Sequence, residues 1–121
     1  MDDRRLASLV DILIVSRVEK TFQALADPTR RAMLDRLAGG ERRVGELTAG
    51  FAISATAAAK HLAMLEAAGL VACRREGRYR RCALDADPLV EAGLWLRRWD
   101  CFGSPMVARK AALVARAEAI G

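Results

Sequence analysis

Between Arg74 and Arg81 the chain reads Arg-Arg-Glu-Gly-Arg-Tyr-Arg-Arg, which crowds Arg74, Arg75, Arg78, Arg80 and Arg81 around a single acid. Charge of one sign at this density repels itself and calls for a polyanion to neutralise it. Arginine in particular offers a planar fork that fits phosphate oxygens and suits narrow minor grooves. A plainer use exists, since charged edge strands also discourage aggregation. Lysine or mixed signs would serve that purpose without the self-repulsion, so the cluster reads as a nucleic-acid contact.

A second group precedes it. Ser54 is a good N-cap, with Ala55 and Thr56 just behind it and Lys60 and His61 one turn further on. A helix N-terminus favours phosphate, and Thr56 and Lys60 are types that reach base edges. Ala55, and Ala59 one turn on, have no polar group and can meet only a thymine methyl. His61 is the single histidine of the chain. A zinc site needs three or four protein ligands, so His61 reads as a phosphate contact or a packing residue.

These groups need elements to hold them. Apolar residues at helical spacing (Leu6, Leu9, Val10, Leu13, Ile14, Val18, Phe22, Leu25) predict a long helix over about 5–26. Asp27-Pro28 ends it and caps the next helix, which carries Met33, Leu34 and Leu37 inward and stops at Gly39-Gly40. A short helix at about 43–50 and a capped helix at about 55–68 follow, separated by Gly50 and Phe51, with Gly69 closing the second. Strands at 70–73 and 80–84 flank Glu76-Gly77-Arg78 and predict a β-hairpin. Asp85 or Asp87 before Pro88 starts another helix bearing Leu94, Trp95 and Trp99. A last amphipathic segment follows Gly103-Ser104-Pro105 and covers about 105–119. The fold class is mainly α with a small β-hairpin (α+β). Helix, turn and capped helix followed by a hairpin make a winged helix-turn-helix.

Composition agrees. The chain has 121 residues, 53% hydrophobic and 29% charged, with 5% aromatic. Mean hydropathy is +0.09 and the isoelectric point about 9.7. One domain, 1–121, accommodates this length: an N-terminal dimerisation helix at 1–26, the helix-turn-helix at 43–68, the wing at 70–84 and C-terminal dimerisation helices at 88–120. The net charge of +5 suits a polyanionic partner. The apolar run from Leu6 to Val15 is too short to span a bilayer, and the expectation is a cytoplasmic protein with no membrane contact.

Three cysteines, an odd number, do not make a disulfide framework, and in the cytoplasm they are expected to be reduced. Cys73 and Cys82 fall opposite each other if Gly77-Arg78 forms a two-residue turn, which raises a redox idea. The simpler reading, two small residues suited to strands, is preferred. Cys101 alone could bind a soft metal only with partners from elsewhere. No phosphate-binding glycine loop, nucleophile elbow or HExxH motif is present, and the lone His61 has no nucleophile beside it, so an enzyme is not expected. No cofactor and no metal are expected.

At this point several short stretches agree in order and spacing. Phe22-Gln-Ala-Leu-Ala-Asp-Pro-Thr-Arg-Arg31, Val44-Gly-Glu-Leu47, Lys60-His-Leu62, Leu65-Glu-Ala-Ala-Gly-Leu-Val71 and Arg75-Glu-Gly-Arg-Tyr-Arg80 resemble the ArsR/SmtB winged-helix repressors over about residues 20–100. The resemblance implies a homodimer on operator DNA that represses, and often releases when an effector binds; which effector is left open. Metal-sensing relatives place paired cysteines on the short helix, where this chain has Arg43-Val-Gly-Glu-Leu47, and others use His on a last helix that here has none.

The reading is therefore a DNA-binding regulator, probing double-stranded DNA with Ser54, Ala55, Thr56, Lys60, His61 and the five wing arginines. Its homodimer would close through Leu9, Leu13, Val18, Leu94, Trp95 and Trp99, because the terminal helices carry more apolar surface than one small core can bury. The alternative is a protein-interaction module on the same scaffold without sequence-specific DNA binding; Ala55 and Ala59 favour it and the arginine hairpin opposes it.

Overall fold

The computed structural model describes residues 17–98 and 104–120. Leu9, Leu13, Trp99 and Cys101 lie outside the described residues, as do the start of the predicted first helix and the end of the Trp-bearing one. In chain order the elements are α1 (17–25), α2 (Pro28–Ala38), β1 (Arg42–Arg43), α3 (Val44–Thr48), α4 (Ala55–Ala67), β2 (Val71–Glu76), β3 (Tyr79–Leu84), α5 (Asp87–Leu96) and α6 (Ser104–Ile120).

The caps read from residue types are present. Asp27 Oδ2 accepts from the backbone N–H of Thr29 and Arg30 and starts α2, with Pro28 at its first position. Ser54 Oγ accepts from Ala57 N–H and starts α4. Gly69, at φ 75°, turns the chain out of α4 in the left-handed conformation that glycine adopts freely. At α5 the start is Asp87, and Asp85 acts from outside the helix, its Oδ1 accepting from Asp87 N–H.

Glu76 pairs with Tyr79 across a two-residue Gly77-Arg78 turn, with Gly77 at φ 61°. That turn sets the register of the whole ladder, Val71 opposite Leu84 and Cys73 opposite Cys82. The sheet is larger than the expected hairpin: β1 pairs antiparallel with β3, Arg42 opposite Cys82 and Arg43 opposite Arg81, giving the order β1-β3-β2. A two-residue strand has no alternation to betray it; only its partner defines it. Leu70, expected to open the strand, sits in the core just before it.

Met33, Leu34 and Leu37 of α2, Leu47 of α3, Leu62 and Leu65 of α4, Leu70, Val71 and Cys82 form one buried cluster, with Phe51, Val44 and Leu89 packed at its edge. Burying each such side chain stabilises the fold by roughly 1.5–3 kcal/mol. Val18, expected at a dimer interface, is 3% exposed within the single chain and so offers little surface to a partner. Trp95 is half-buried and meets Phe22 edge to face at 5.9 Å, tying α5 to α1.

Candidate nucleic-acid interface

The second helix of the helix-turn-helix is α4, and its first turns show which residues are available. Ala58, Leu62 and Leu65 face the core. Ser54, Ala55, Thr56, Ala59 and Lys60 are exposed. A 3.6-residue period makes this division unavoidable: positions 58, 62 and 65 share one stripe, and 56 and 60 another.

His61 lies at the boundary, half-buried, and is braced from behind. Arg30, only 9% exposed, sends Nε to the Ala24 carbonyl at 2.7 Å and Nη2 to the Gln23 carbonyl at 3.1 Å, at the end of α1. Its Nη1 meets His61 Nδ1 at 3.1 Å. A guanidinium has no lone pair to offer, so Nδ1 accepts in this arrangement. Asp27 Oδ2 lies 3.8 Å from the same nitrogen. Arg30 thus joins the end of α1 to the exposed side of α4. The brace joins residues 31 apart in sequence and has no local signal in the chain.

The short helix α3 is also held by an arginine. Arg36 of α2 donates Nη1 to the Leu47 and Ala49 carbonyls at 3.0 and 2.7 Å and lies 4.3 Å over the Phe51 ring. Carbonyls at the end of α3 that the helix leaves unpaired are satisfied in this way, and the turn into α4 is fixed.

In the wing the five arginines divide. Arg74 is bound by Glu41, Arg80 by Glu66 of α4 at 3.2 Å, and Arg81 by Glu76. Arg43, at the start of α3, stacks over Tyr79 at 4.2 Å. Arg75 and Arg78 are exposed and make no ion pair with a carboxylate among the described residues. Among the described residues the sequence cluster of five is therefore two guanidiniums without an acid partner and three already matched by acids. Glu41 lies 33 residues before Arg74 and Glu66 sits on α4, 14 before Arg80, both outside the 74–81 stretch, which is why that stretch alone overstates the wing's charge. The carboxyls answer: hydrogen bonding from Arg74 holds Glu41 below the usual carboxylate range, and Arg81 does the same for Glu76.

Cys73 and Cys82 are disulfide-bonded, where the sequence reading preferred two reduced thiols. The register brings their Cα atoms within 4.1 Å, close enough for a bridge. Among the described residues no group of three His, Cys, Asp or Glu gathers in a way that could hold a metal, and no helix is long and apolar enough to cross a membrane.

This arrangement, a capped exposed helix behind a short helix with an arginine-tipped hairpin beside it, is that of winged helix-turn-helix proteins. Residues 25–74 match a helix-turn-helix domain family. The chain is 45% identical over 72 residues to the HTH-type transcriptional regulator Rv2034 of Mycobacterium tuberculosis, covering 60% of this chain and 67% of the relative. It is 32% identical over 79 residues to the transcriptional repressor SdpR of Bacillus subtilis, covering 65% and 88%. Among solved structures it is similar to the ArsR family transcriptional regulator RHA00566, with TM-score 0.67 and 38% identity over 70% of this chain and 88% of that one. It is also similar to the homodimeric winged helix-turn-helix DNA-binding domain of Mb0332 from Mycobacterium bovis, with TM-score 0.56 and 30% identity over 86% and 95%. The chain belongs to the ArsR family of winged helix-turn-helix transcriptional regulators, DNA-binding proteins rather than enzymes.

Proposed function

We propose that the chain is a cytoplasmic repressor that binds a pseudo-palindromic operator as a homodimer. In this reading α4 enters the major groove N-terminus first, Thr56 and Lys60 reach base edges, and Ser54, Ala55 and His61 line the approach. The wing lies on the neighbouring minor groove or backbone. The observation that carries the reading is the pair of exposed guanidiniums, Arg75 and Arg78, which have no acid partners among the described residues and stand at and beside the turn of a hairpin whose other arginines are matched. Unmatched like charges on a small ribbon are neutralised by phosphate, with release of counterions. Arg74, Arg80 and Arg81 shape the wing and exchange their glutamates for phosphates only on contact.

The homodimer reading is supported by Leu94 of α5, 56% exposed, with Val90 and Leu96 also exposed on that helix and Leu113 and Val114 on α6. Apolar surface of this kind on the helices farthest along the chain is what a two-fold interface buries.

The test is binding of the full chain to a duplex from its own upstream region and to a random duplex of equal length. Retardation of the first at salt concentrations that abolish the second supports the operator reading. A second reading, an interaction module without sequence choice, is favoured by the bare Ala55 and Ala59 at the start of α4. Equal affinity for both duplexes, or none, supports that reading instead.

A further inference from the structure

The cysteine pair of the hairpin has no part in the DNA contacts described above. Its placement is specific. Cys82 is fully buried in the core beside Leu65 and Leu70, whereas Cys73 is only half-buried. On the core side of the pair, Val71 is buried and faces Leu84. On the other side the cross-strand pairs are Arg74 with Arg81, Arg75 with Arg80 and Glu76 with Tyr79, almost all exposed. The bond therefore lies at the point where the hairpin leaves the core and becomes a solvent-exposed arm, held beyond that point by surface ion pairs to Glu41 and Glu66 and by Arg43 over Tyr79. The arginines without a carboxylate partner among the described residues, Arg75 and Arg78, are both on that arm.

We propose that Cys73 and Cys82 form a reversible modification site, a dithiol–disulfide couple that exchanges with small-molecule thiols and disulfides, and that the oxidised wing is the form with higher DNA affinity. The proposal rests on the DNA-binding reading. A small thiolate attacks the half-exposed Cys73 sulfur; the protein S–S bond breaks and Cys82 leaves as a thiolate that takes up a proton. A second small thiolate then attacks the small-molecule sulfur of the mixed disulfide; that S–S bond breaks and Cys73 leaves as a thiolate that takes up a proton from solvent. Two electrons pass from two small thiols to the protein, and one small disulfide is formed; oxidation is the reverse. The closed pair restricts the arm before DNA arrives, so less freedom is lost when Arg75 and Arg78 are ordered on phosphate. The reduced wing keeps its backbone ladder and its turn, so binding is weakened and not abolished.

The full chain is equilibrated in mixtures of reduced and oxidised glutathione, quenched with acid, alkylated in denaturant so that the buried Cys82 is reached, and weighed. With three cysteines in the chain, the fully reduced form takes three labels and the form closed at Cys73–Cys82 takes one. The same samples are titrated onto the upstream and random duplexes. As two further labels appear, affinity for both duplexes is expected to fall roughly three- to tenfold. Cys73→Ser and Cys82→Ala are each expected to hold the weaker affinity at every glutathione ratio, and Cys101→Ser to keep the full response. A label count that changes while affinity does not, or a response that survives Cys73→Ser, overturns the proposal. A pair that stays open in oxidised glutathione, or closed in excess reduced glutathione, does so too. If neither form binds any duplex at low salt, the DNA-binding reading and the affinity half of the proposal both fall, and the label count still decides the exchange.

Discussion

Arg74 grips Glu41 with both arms of its guanidinium, Nη1 to Oε1 at 2.8 Å and Nη2 to Oε2 at 2.9 Å, across 33 residues of sequence. Glu41 stands immediately before β1, so the pair staples the outer strand β2 across β3 to the start of the sheet. The same carboxylate that shapes the wing also cancels one of its charges. In the proposed complex an acid in this position would compete with phosphate for Arg74.

Glu41→Gln is therefore expected to strengthen DNA binding. The amide keeps an acceptor for Arg74 but removes the negative charge, and the freed guanidinium can meet phosphate. The gain should appear equally on specific and random duplexes, and the slope of log affinity against log salt should steepen by up to about 0.9. A salt titration by fluorescence anisotropy checks it; weaker binding with an unaltered slope would show that the staple matters more than the charge.

Acid should unfold the protein through its paired carboxylates. Backbone N–H bonds, chiefly from Arg30, hold Asp27 below 3.8, and arginine partners hold Glu41 and Glu76 below 4.5. A carboxyl depressed in the folded state contributes stability that is present above its unfolded pKa and is lost as pH falls through its folded one. Melting temperature should thus respond little to these three groups from pH 7 to about 5, then drop below about pH 4.5. Asp27→Asn keeps a capping oxygen but cannot titrate. Thermal melts between pH 3 and 7 should show a shallower acid-side fall in that variant, and an identical fall would remove Asp27 from the account.

Arg30 is the arginine whose loss should damage the fold most. Arg30→Met fills much of the same space but leaves the Gln23 and Ala24 carbonyls and His61 Nδ1 without their donor. Leaving buried polar groups unpaired costs roughly 1–3 kcal/mol. Urea unfolding should give a lower midpoint at an unchanged slope. The exposed neighbour change Arg31→Met should cost well under half of that, although Arg31 donates to the Leu25 carbonyl at 2.7 Å.

What was legible in the chain follows the range of the forces involved. Asp27, Ser54 and Gly69 act within three or four residues, and the Gly77-Arg78 turn fixes its own register; all were readable as residue types at a spacing. β1 was not, because Arg42 and Arg43 become a strand only through Cys82 and Arg81, some forty residues on. The brace from Arg30 to His61 and the masking of Arg74 and Arg80 by Glu41 and Glu66 are likewise contacts between distant segments. A cluster of charge in sequence overstates the charge on a surface whenever the fold brings acids to it. The disulfide was half legible: the opposition of Cys73 and Cys82 followed from the turn, and whether they bond did not.

The dimer interface is expected to depend on α5. Leu94→Glu places a charge at an exposed apolar position of the free chain, where it should leave the monomer's stability nearly untouched. In a two-fold interface the same change is introduced twice and buries two unpaired carboxylates. Sedimentation equilibrium at micromolar concentration should show a dimer for the parent chain and a shift towards monomer for Leu94→Glu. A parent chain that sediments as a clean monomer would sink the dimer reading.

The last expectation concerns the division of labour between wing and helix. Arg78 is exposed at the turn with no carboxylate partner among the described residues, and in the proposed complex it would meet backbone or groove edge. Arg78→Ala should weaken binding to specific and random duplexes alike and lower the salt slope by about 0.9. Thr56 and Lys60 stand exposed on one stripe of α4, behind the Ser54 cap and opposite Leu62 and Leu65. Changing either to alanine should cost about 1–3 kcal/mol on the preferred site and little on random sequence. The two classes of variant are compared by salt titration on both duplexes. If Lys60→Ala weakens both duplexes equally and lowers the slope as Arg78→Ala does, Lys60 is a phosphate contact, and sequence choice must come from Thr56 and from the shape of the DNA. If neither Lys60→Ala nor Thr56→Ala separates the duplexes, the alanines at 55 and 59 mark a helix that reads no bases.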